Sequence, residues 1–295
     1  TVNLFVTDLR MKEKVRKILK QKGVDLHKIK FHVWNYVDVW FRDYGPVFVL
    51  NKEKKQIAFV RWIFNAWGEK YKELMRDTQV PDVISDRLQF NNFRPGIVLE
   101  GGSVDVNGKG TILTTEQCLL NKNRNPHLSK IDIEKYLMNY FGVGNIIWLK
   151  GGVVGDDTDG HIDNLARFVN PKTVLCAFEE DESDENHGIL KQNYEILANS
   201  TDQYGKKLKV IKMPMPPVIL SKVRGEKTRL PASYLNFYVA NKIVLVPTYG
   251  HKNDKLAQKI IAKQFPRRKV VGIDCRDLIY GMGAIHCVVQ QQPAI

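Results

Sequence analysis

Several short groups in this chain have the residue types that nucleophilic catalysis needs. They are Trp40-Phe41-Arg42-Asp43-Tyr44-Gly45-Pro46, Glu100-Gly101-Gly102, residues 155–164 (GDDTDGHIDN), and Gly281-Met282-Gly283-Ala284-Ile285-His286-Cys287. A cysteine attacks an electrophilic carbon as its thiolate. A histidine moves protons near neutral pH, and a carboxylate orients that histidine or binds a cation. Each group alone has a plainer reading. Cys287 in an apolar run is a small buried hydrophobe, and His161 between apolar residues is a satisfied core group. Gly101-Gly102 is a bulge or tight bend, and the acidic run 156–163 is a solvated loop. A calcium loop fits that run poorly, because its Asp spacing does not follow the EF-hand pattern. What favours chemistry is joint recurrence: Asp43, Glu100, His161 and Cys287 hold comparable places, early in successive strand-like segments.

The elements that must position them form a repeat. Hairpin-like segments occur at 47–60 around Asn51-Lys52, at 103–114 around Asn107-Gly108, at 165–177 around Asn170-Pro171, and at 235–247 around Asn241-Lys242. Each carries β-branched or aromatic residues on both sides of a turn signal. Helical periodicity covers 11–22, 131–141, 185–198 and 254–265, with short strands predicted at 2–6, 29–34, 145–149, 209–213 and 270–274. A last strand is predicted at 285–290, with no hairpin partner after it. The unit is hairpin, helix, strand, recurring at about 60 residues, which predicts a radial or stacked array. In a radial array, matching positions of the repeat converge on one axis, because a strand's register fixes which way its side chains point.

Composition bounds the rest. The 295 residues suffice for one large domain or two small ones. Hydrophobic residues at 43% and charged residues at 26% are ordinary for a globular protein. No apolar run reaches the length of a membrane span, so no membrane association is expected, and no secretory leader is visible. The chain runs from Thr1 straight into the strand-like segment 2–6, so its natural N-terminus is expected to lie further upstream. Cys118, Cys176, Cys275 and Cys287 are far apart and form no CxxC pair, which predicts free thiols in a reducing cytoplasm and no zinc site or disulfide framework. The net charge of +13 admits a nucleic-acid partner. No basic patch interleaved with aromatics accompanies it, so a solvated lysine-rich surface is expected instead. Self-association into a homo-oligomer is left open.

Residues 40–46 (WFRDYGP), 64–68 (FNAWG), 99–103 (LEGGS), 114–126 (TTEQCLLNKNRNP), 155–167 (GDDTDGHIDNLAR), 230–234 (LPASY), 246–249 (VPTY) and 285–293 (IHCVVQQQP) span nearly the whole chain. In these stretches and their order, the sequence resembles the agmatine deiminase family. That family belongs to a guanidino-modifying superfamily with the arginine deiminases, amidinotransferases and bacterial peptidylarginine deiminases. The resemblance implies an α/β fold, a five-bladed pseudo-symmetric propeller of pentein type with its active site on the axis. It implies one domain over residues 1–295, lacking an N-terminal Trp-rich strand and helix that the family usually carries. It implies hydrolysis of agmatine to N-carbamoylputrescine and ammonia in polyamine biosynthesis, with no cofactor and no metal. The alternatives are an arginine or peptidylarginine deiminase and, in another class, a non-catalytic polyamine or nucleic-acid binding protein. Three departures stand out. Met282 and Ala284 replace a Gly and the Asn of the family's Gly-Gly-Gly-Asn-Ile-His-Cys loop, and Glu69 stands where Gly usually follows Trp67-Gly68.

A guanidinium ion is resonance-stabilised and a poor electrophile, so a site must hold the cation, aim a strong nucleophile at its carbon and protonate the leaving nitrogen. Paired carboxylates match its planar fork. By resemblance, Asp43 and Asp163 bind the guanidinium and Cys287 attacks as thiolate, its pKa lowered by the adjacent cation. By the same resemblance His161 is general acid and then base, and Glu100 hydrogen-bonds to His161 and orients it. Asp157 stands at the family position associated with the distal amine, so the resemblance favours agmatine over arginine. Trp67 lines the aliphatic part of the substrate or is simply a core aromatic, and residues 283–285 shape the pocket wall.

Overall fold

The structure is a computed structural model that describes residues 1–223 and 226–294. It is a mixed α/β fold of small, separate sheets. Four of them share one connectivity: an antiparallel hairpin whose second strand also pairs, in parallel, with a third. They are Val47–Asn51, Gln56–Val60 and Asn91–Phe93; Asp105–Val106, Thr111–Thr115 and Asn145–Leu149; Ala166–Asn170, Thr173–Phe178 and Lys209–Pro214; and Tyr238–Val239, Ile243–Thr248 and Lys269–Asp274. A fifth sheet pairs Val2–Val6 with Ile29–Val33 in parallel. Leu220–Val223 and Glu226–Arg229 form an extra hairpin that the sequence pattern does not predict.

A parallel pair needs a crossover, and helices supply it. Helix Lys130–Phe141 starts on a capping box between Ser129 and Asp132, ends on Gly142 at φ 64°, and buries Ile133 and Leu137. Helices His187–Asn199 and Asn253–Gln264 bury Leu190 and Leu197, and Ala257 and Ile261, one stripe each. Helix Leu9–Gln21, capped by Asp8, crosses between the two strands of the fifth sheet and buries no residue. No helix among the described residues is long and apolar enough to cross a membrane.

The largest core cluster joins the second, third and fourth hairpin sheets through residues such as Leu113, Leu149, Leu175, Phe237 and Val246. A separate aromatic cluster of Trp40, Tyr44, Phe64 and Trp67 closes around Cys287. Residues 285–290, predicted as a strand, form a turn instead. Their backbone groups bond to single residues rather than to a ladder: His286 N–H donates to Asn236 (Oδ1, 2.9 Å), and the Cys287 carbonyl accepts from Arg42 N–H at 3.0 Å.

Candidate active site

The residues singled out above converge, but from turns rather than from strands. Asp43 lies in the one-turn helix Phe41–Tyr44, Glu100 caps the 3-10 turn Gly101–Ser103, and His161 and Asp163 belong to the turn around Ile162–Asn164. Each turn lies a few residues ahead of the first strand of a hairpin. A strand's start is thus set by its sheet, while the preceding turn is free to aim polar groups inward.

Asp163 is fully buried, and its Oδ2 meets three groups. His286 Nδ1 lies at 2.7 Å, Asn236 Nδ2 donates at 3.3 Å, and Cys287 Sγ stands at 3.8 Å. Its Oδ1 is buried with no hydrogen-bond partner. Asn236 also donates to Cys287 Sγ at 3.1 Å, so one amide ties the thiol to the carboxylate beside it.

Asp43 accepts from Trp67 Nε1 at 2.9 Å through Oδ2 and from the Gly102 N–H at 3.0 Å through Oδ1. Trp67 therefore orients a carboxylate, a role its aromatic ring does not reveal in sequence. His161 Nδ1 lies 3.6 Å from Asp43 Oδ1. A Cβ on Gly102 would stand 2.6 Å from His161 Nδ1 and 2.7 Å from Asp43 Oδ1. Only glycine permits those side chains to close on its backbone.

Trp67 is held by an unusual turn. Ala66, Trp67, Gly68 and Glu69 take φ of 53°, 55°, 87° and 63° in succession. Glu69 N–H closes the turn on the Asn65 carbonyl at 2.7 Å, and Asn65 Oδ1 accepts from Gly68 N–H. This is a turn of left-handed helix, which costs about 1–2 kcal/mol for each non-glycine residue. Such strain persists where the surroundings over-determine it.

Glu100 is placed differently from the expectation. Its Oε1 accepts from Arg124 Nε at 2.6 Å, while Oε2 and His161 Nε2 are both buried without a hydrogen-bond partner. A Glu100 oxygen, Cys118 Sγ and a His161 ring nitrogen lie within 4.8 Å of one another. These donors would suit a metal ion, but Arg124 already sets a fixed positive charge against Glu100, which works against a cation there. Arg124 also donates to Asp159 Oδ2 at 2.7 Å and to the Thr158 carbonyl at 3.0 Å, so it joins Glu100 to the loop that delivers His161.

Asp157 sits at the outer end of the cluster. Its carboxylate accepts from the Tyr71 hydroxyl, and Tyr71 packs edge-on against Trp67 with centroids 5.7 Å apart. Lys70 bonds the Asp157 carbonyl and Asp159 Oδ1 (2.7 Å), which fastens the 157–159 loop over the left-handed turn.

The electrostatics follow from burial. Desolvation, with Asp163 adding to it, raises Asp43 well above the ordinary carboxylate range. Desolvation likewise pushes Asp163 up to about 7 against the pull of Arg167 and Arg42. Burial and the two carboxylates raise the Cys287 thiol well above its usual value. Burial and Arg124 lower His161 well below its own, and burial with Arg167 does the same to His286. At neutral pH the thiol is therefore protonated and both imidazoles are neutral. Two buried carboxylates beside one thiol are the electrostatic complement of a planar cation.

Sequence reasoning gave no role to Asn236, His286, Arg124 or Tyr71. For Asn236 a signal existed: it stands two residues before strand Tyr238–Val239, as Asn164, the neighbour of Asp163, stands two residues before Ala166–Asn170. Nothing comparable marks the other three, whose partners lie far away in sequence.

The model of the Porphyromonas-type peptidyl-arginine deiminase family matches residues 1–293. An agmatine deiminase of Medicago truncatula is 42% identical over 286 residues, covering 88% of this chain and 76% of the relative. The solved agmatine deiminase of Enterococcus faecalis superposes with a TM-score of 0.91 at 35% identity, over 99% of this chain and 83% of that one. A cysteine-to-serine agmatine deiminase of C. jejuni, solved with substrate bound, gives a TM-score of 0.86 at 33% identity, over 98% and 81% of the two chains.

Proposed function

The chain belongs to the Porphyromonas-type peptidyl-arginine deiminase family, and on that footing we propose that it hydrolyses agmatine to N-carbamoylputrescine and ammonia. The observation that carries the reading is the pair Asp43 and Asp163, both buried and both flanking the Cys287 thiol, with Asp163 Oδ2 3.8 Å from Sγ. The unpartnered Asp163 Oδ1 supplies an acceptor for a guanidinium N–H.

In this reading the bound cation lowers the Cys287 pKa, as any adjacent positive charge does. The thiolate adds to the guanidinium carbon. The proton it releases passes to the neutral His161, which delivers it to the departing nitrogen as ammonia leaves. The product is a covalent thiouronium. His161 then deprotonates the attacking water, and collapse of that adduct returns the thiol and the carbamoyl product. Glu100, held by Arg124, sets the field around His161. Asp157 with Tyr71 takes the distal amine of agmatine, at the far end of a path that Trp67 lines. The four hairpin sheets and the parallel pair Val2–Val6 with Ile29–Val33 are read as five blades whose leading turns converge on one axis, in a single domain. The common connectivity of four sheets and the meeting of their turns support that arrangement. Action on a small cation within polyamine synthesis, in the cytoplasm, belongs to the same reading.

The test is ammonia release from agmatine, arginine and a peptidyl-arginine, by wild type and Cys287→Ala. Turnover of agmatine by wild type, absent from the variant, is expected. Preference for either arginine substrate would keep the chemistry and overturn the choice of substrate.

A further inference from the structure

A nucleophile must stand at a fixed place relative to the carboxylates that hold its target, because a displacement of about 1 Å can cost on the order of 100-fold in rate. Cys287 lies in no sheet, so no ladder fixes it. One side of its turn is held by Asn236. The other side is held by Arg42, beside the contact of the His286 ring with Asp163 at 2.7 Å. Arg42 N–H donates to the Cys287 carbonyl at 3.0 Å, and Arg42 Nε donates to the His286 carbonyl at 3.3 Å. Its Nη1 donates to Gln290 Oε1 and its Nη2 to Gln291 Oε1 at 2.8 Å. The residue is 4% exposed and directly precedes Asp43. Its carbonyl is packed so closely on Gly101 that a Cβ there would lie 2.2 Å from it. Arg42 thus spans the helix that carries Asp43 and the turn that carries Cys287.

We propose that Arg42 is the positioning residue of the nucleophile, a three-pronged clamp on residues 286–291 that sets the reach of Cys287 Sγ toward a cation held by Asp43 and Asp163. The proposal rests on Cys287 being the nucleophile. It turns on the fork of the guanidinium rather than on its charge: one planar group reaches a carbonyl and two amides at once, which the point charge of a lysine does not. Gln290 is half-buried and Gln291 exposed, so their side chains contribute to the clamp with little share in the core.

Two full-length variants test it, Arg42→Lys and the double variant Gln290→Ala/Gln291→Ala. The readouts are kcat and KM for agmatine and the rate of Cys287 alkylation by iodoacetamide across pH, followed by peptide mass. Cys118, Cys176 and Cys275 are buried and are counted separately. For Arg42→Lys, kcat should fall on the order of 100-fold while KM changes less than about threefold. The double variant should lose about tenfold in kcat with its melting temperature near that of wild type. The alkylation profile should shift in both. If kcat stays within about twofold of wild type in both, the proposal is overturned. Should Arg42→Lys fail to fold, the double variant decides by the same criterion. Should wild type leave agmatine untouched, the substrate reading fails, and an alkylation profile unchanged in both variants would separately overturn the clamp.

Discussion

In the proposed reading Asp163 must be ionised to receive a guanidinium cation, yet burial pushes its pKa up to about 7. The acid limb of kcat/KM should therefore fall as pH drops through 7, well above the range of an ordinary carboxylate. The same shift is a statement about stability. Between the unfolded value near 4 and about 7, the native chain binds a proton at Asp163 that the unfolded chain has released, so the group's contribution to stability is lost as pH rises across that window. In Asp163→Asn that loss is absent. The melting temperature of the variant relative to wild type should rise from pH 4.5 to pH 7 and level off above, while turnover is abolished. A difference that stays flat across the window would refute the assignment of the acid limb to Asp163. At this scale the sequence spoke through residue type and repeat position, which brought Asp43, Glu100, His161 and Cys287 into view, and through the family resemblance, which added Asp163. It was silent on Arg124, His286 and Tyr71. An arginine or tyrosine declares its role only through the partner it reaches, and here those partners lie tens to more than a hundred residues away.

Among the elements, helices and hairpins were legible because each buries one stripe or one face, and that leaves a period in the chain. Helix Lys130–Phe141 and strand Asn145–Leu149 lie within a residue of their predicted bounds. Residues 285–290 misled for the same reason: Ile285, Val288 and Val289 satisfy a strand pattern, but Asn236 and Arg42 capture the backbone groups a ladder would have used. The left-handed turn at Ala66–Glu69 left no period at all. Positive φ accounts for the glycine of the family pattern at two departures, Glu69 at φ 63° within this turn and Met282 at φ 72° after the turn Leu278–Gly281, since glycine is the unstrained choice at both. Glu69 is exposed, so Glu69→Gly should stabilise by about 1 kcal/mol once the added freedom of the unfolded chain is counted, raising the melting temperature by about 2 °C. Met282 packs against the main core, so Met282→Gly forfeits contact and should gain less. Thermal unfolding of the two variants checks the order, and destabilisation by Glu69→Gly would show that the turn is not strained there.

For the molecule as a whole, among the described residues, acids of the interior are matched by buried arginines: Glu100 with Arg124, the half-buried Asp105 with Arg167 at 2.9 Å, and Arg42 beside Asp43 and Asp163. Asp43 and Asp163 keep raised pKa values even so. A bound cation relieves that repulsion only in the folded state, so it should stabilise strongly. With Cys287→Ala, which cannot turn over, agmatine at about 100 times its dissociation constant should add about 2.7 kcal/mol and raise the melting temperature by roughly 5 °C. Arginine at equal concentration should add less, and an equal shift would remove the case for Asp157 as the distal anchor.

The clamp between Arg42 and residues 286–291 also bears on how the chain comes into being on the ribosome. The partners are some 250 positions apart: Arg42 is made early, and its acceptors more than two hundred peptide bonds later. Until that segment leaves the exit tunnel, Arg42 and Asp163 lack the backbone, amide and imidazole groups that complete them. In the proposed reading, a nascent chain gains its nucleophile, its aim and these partners of Arg42 and Asp163 only when that segment docks. On the proposed reading of Cys287 as nucleophile, an intermediate that ends before residue 287 is inactive.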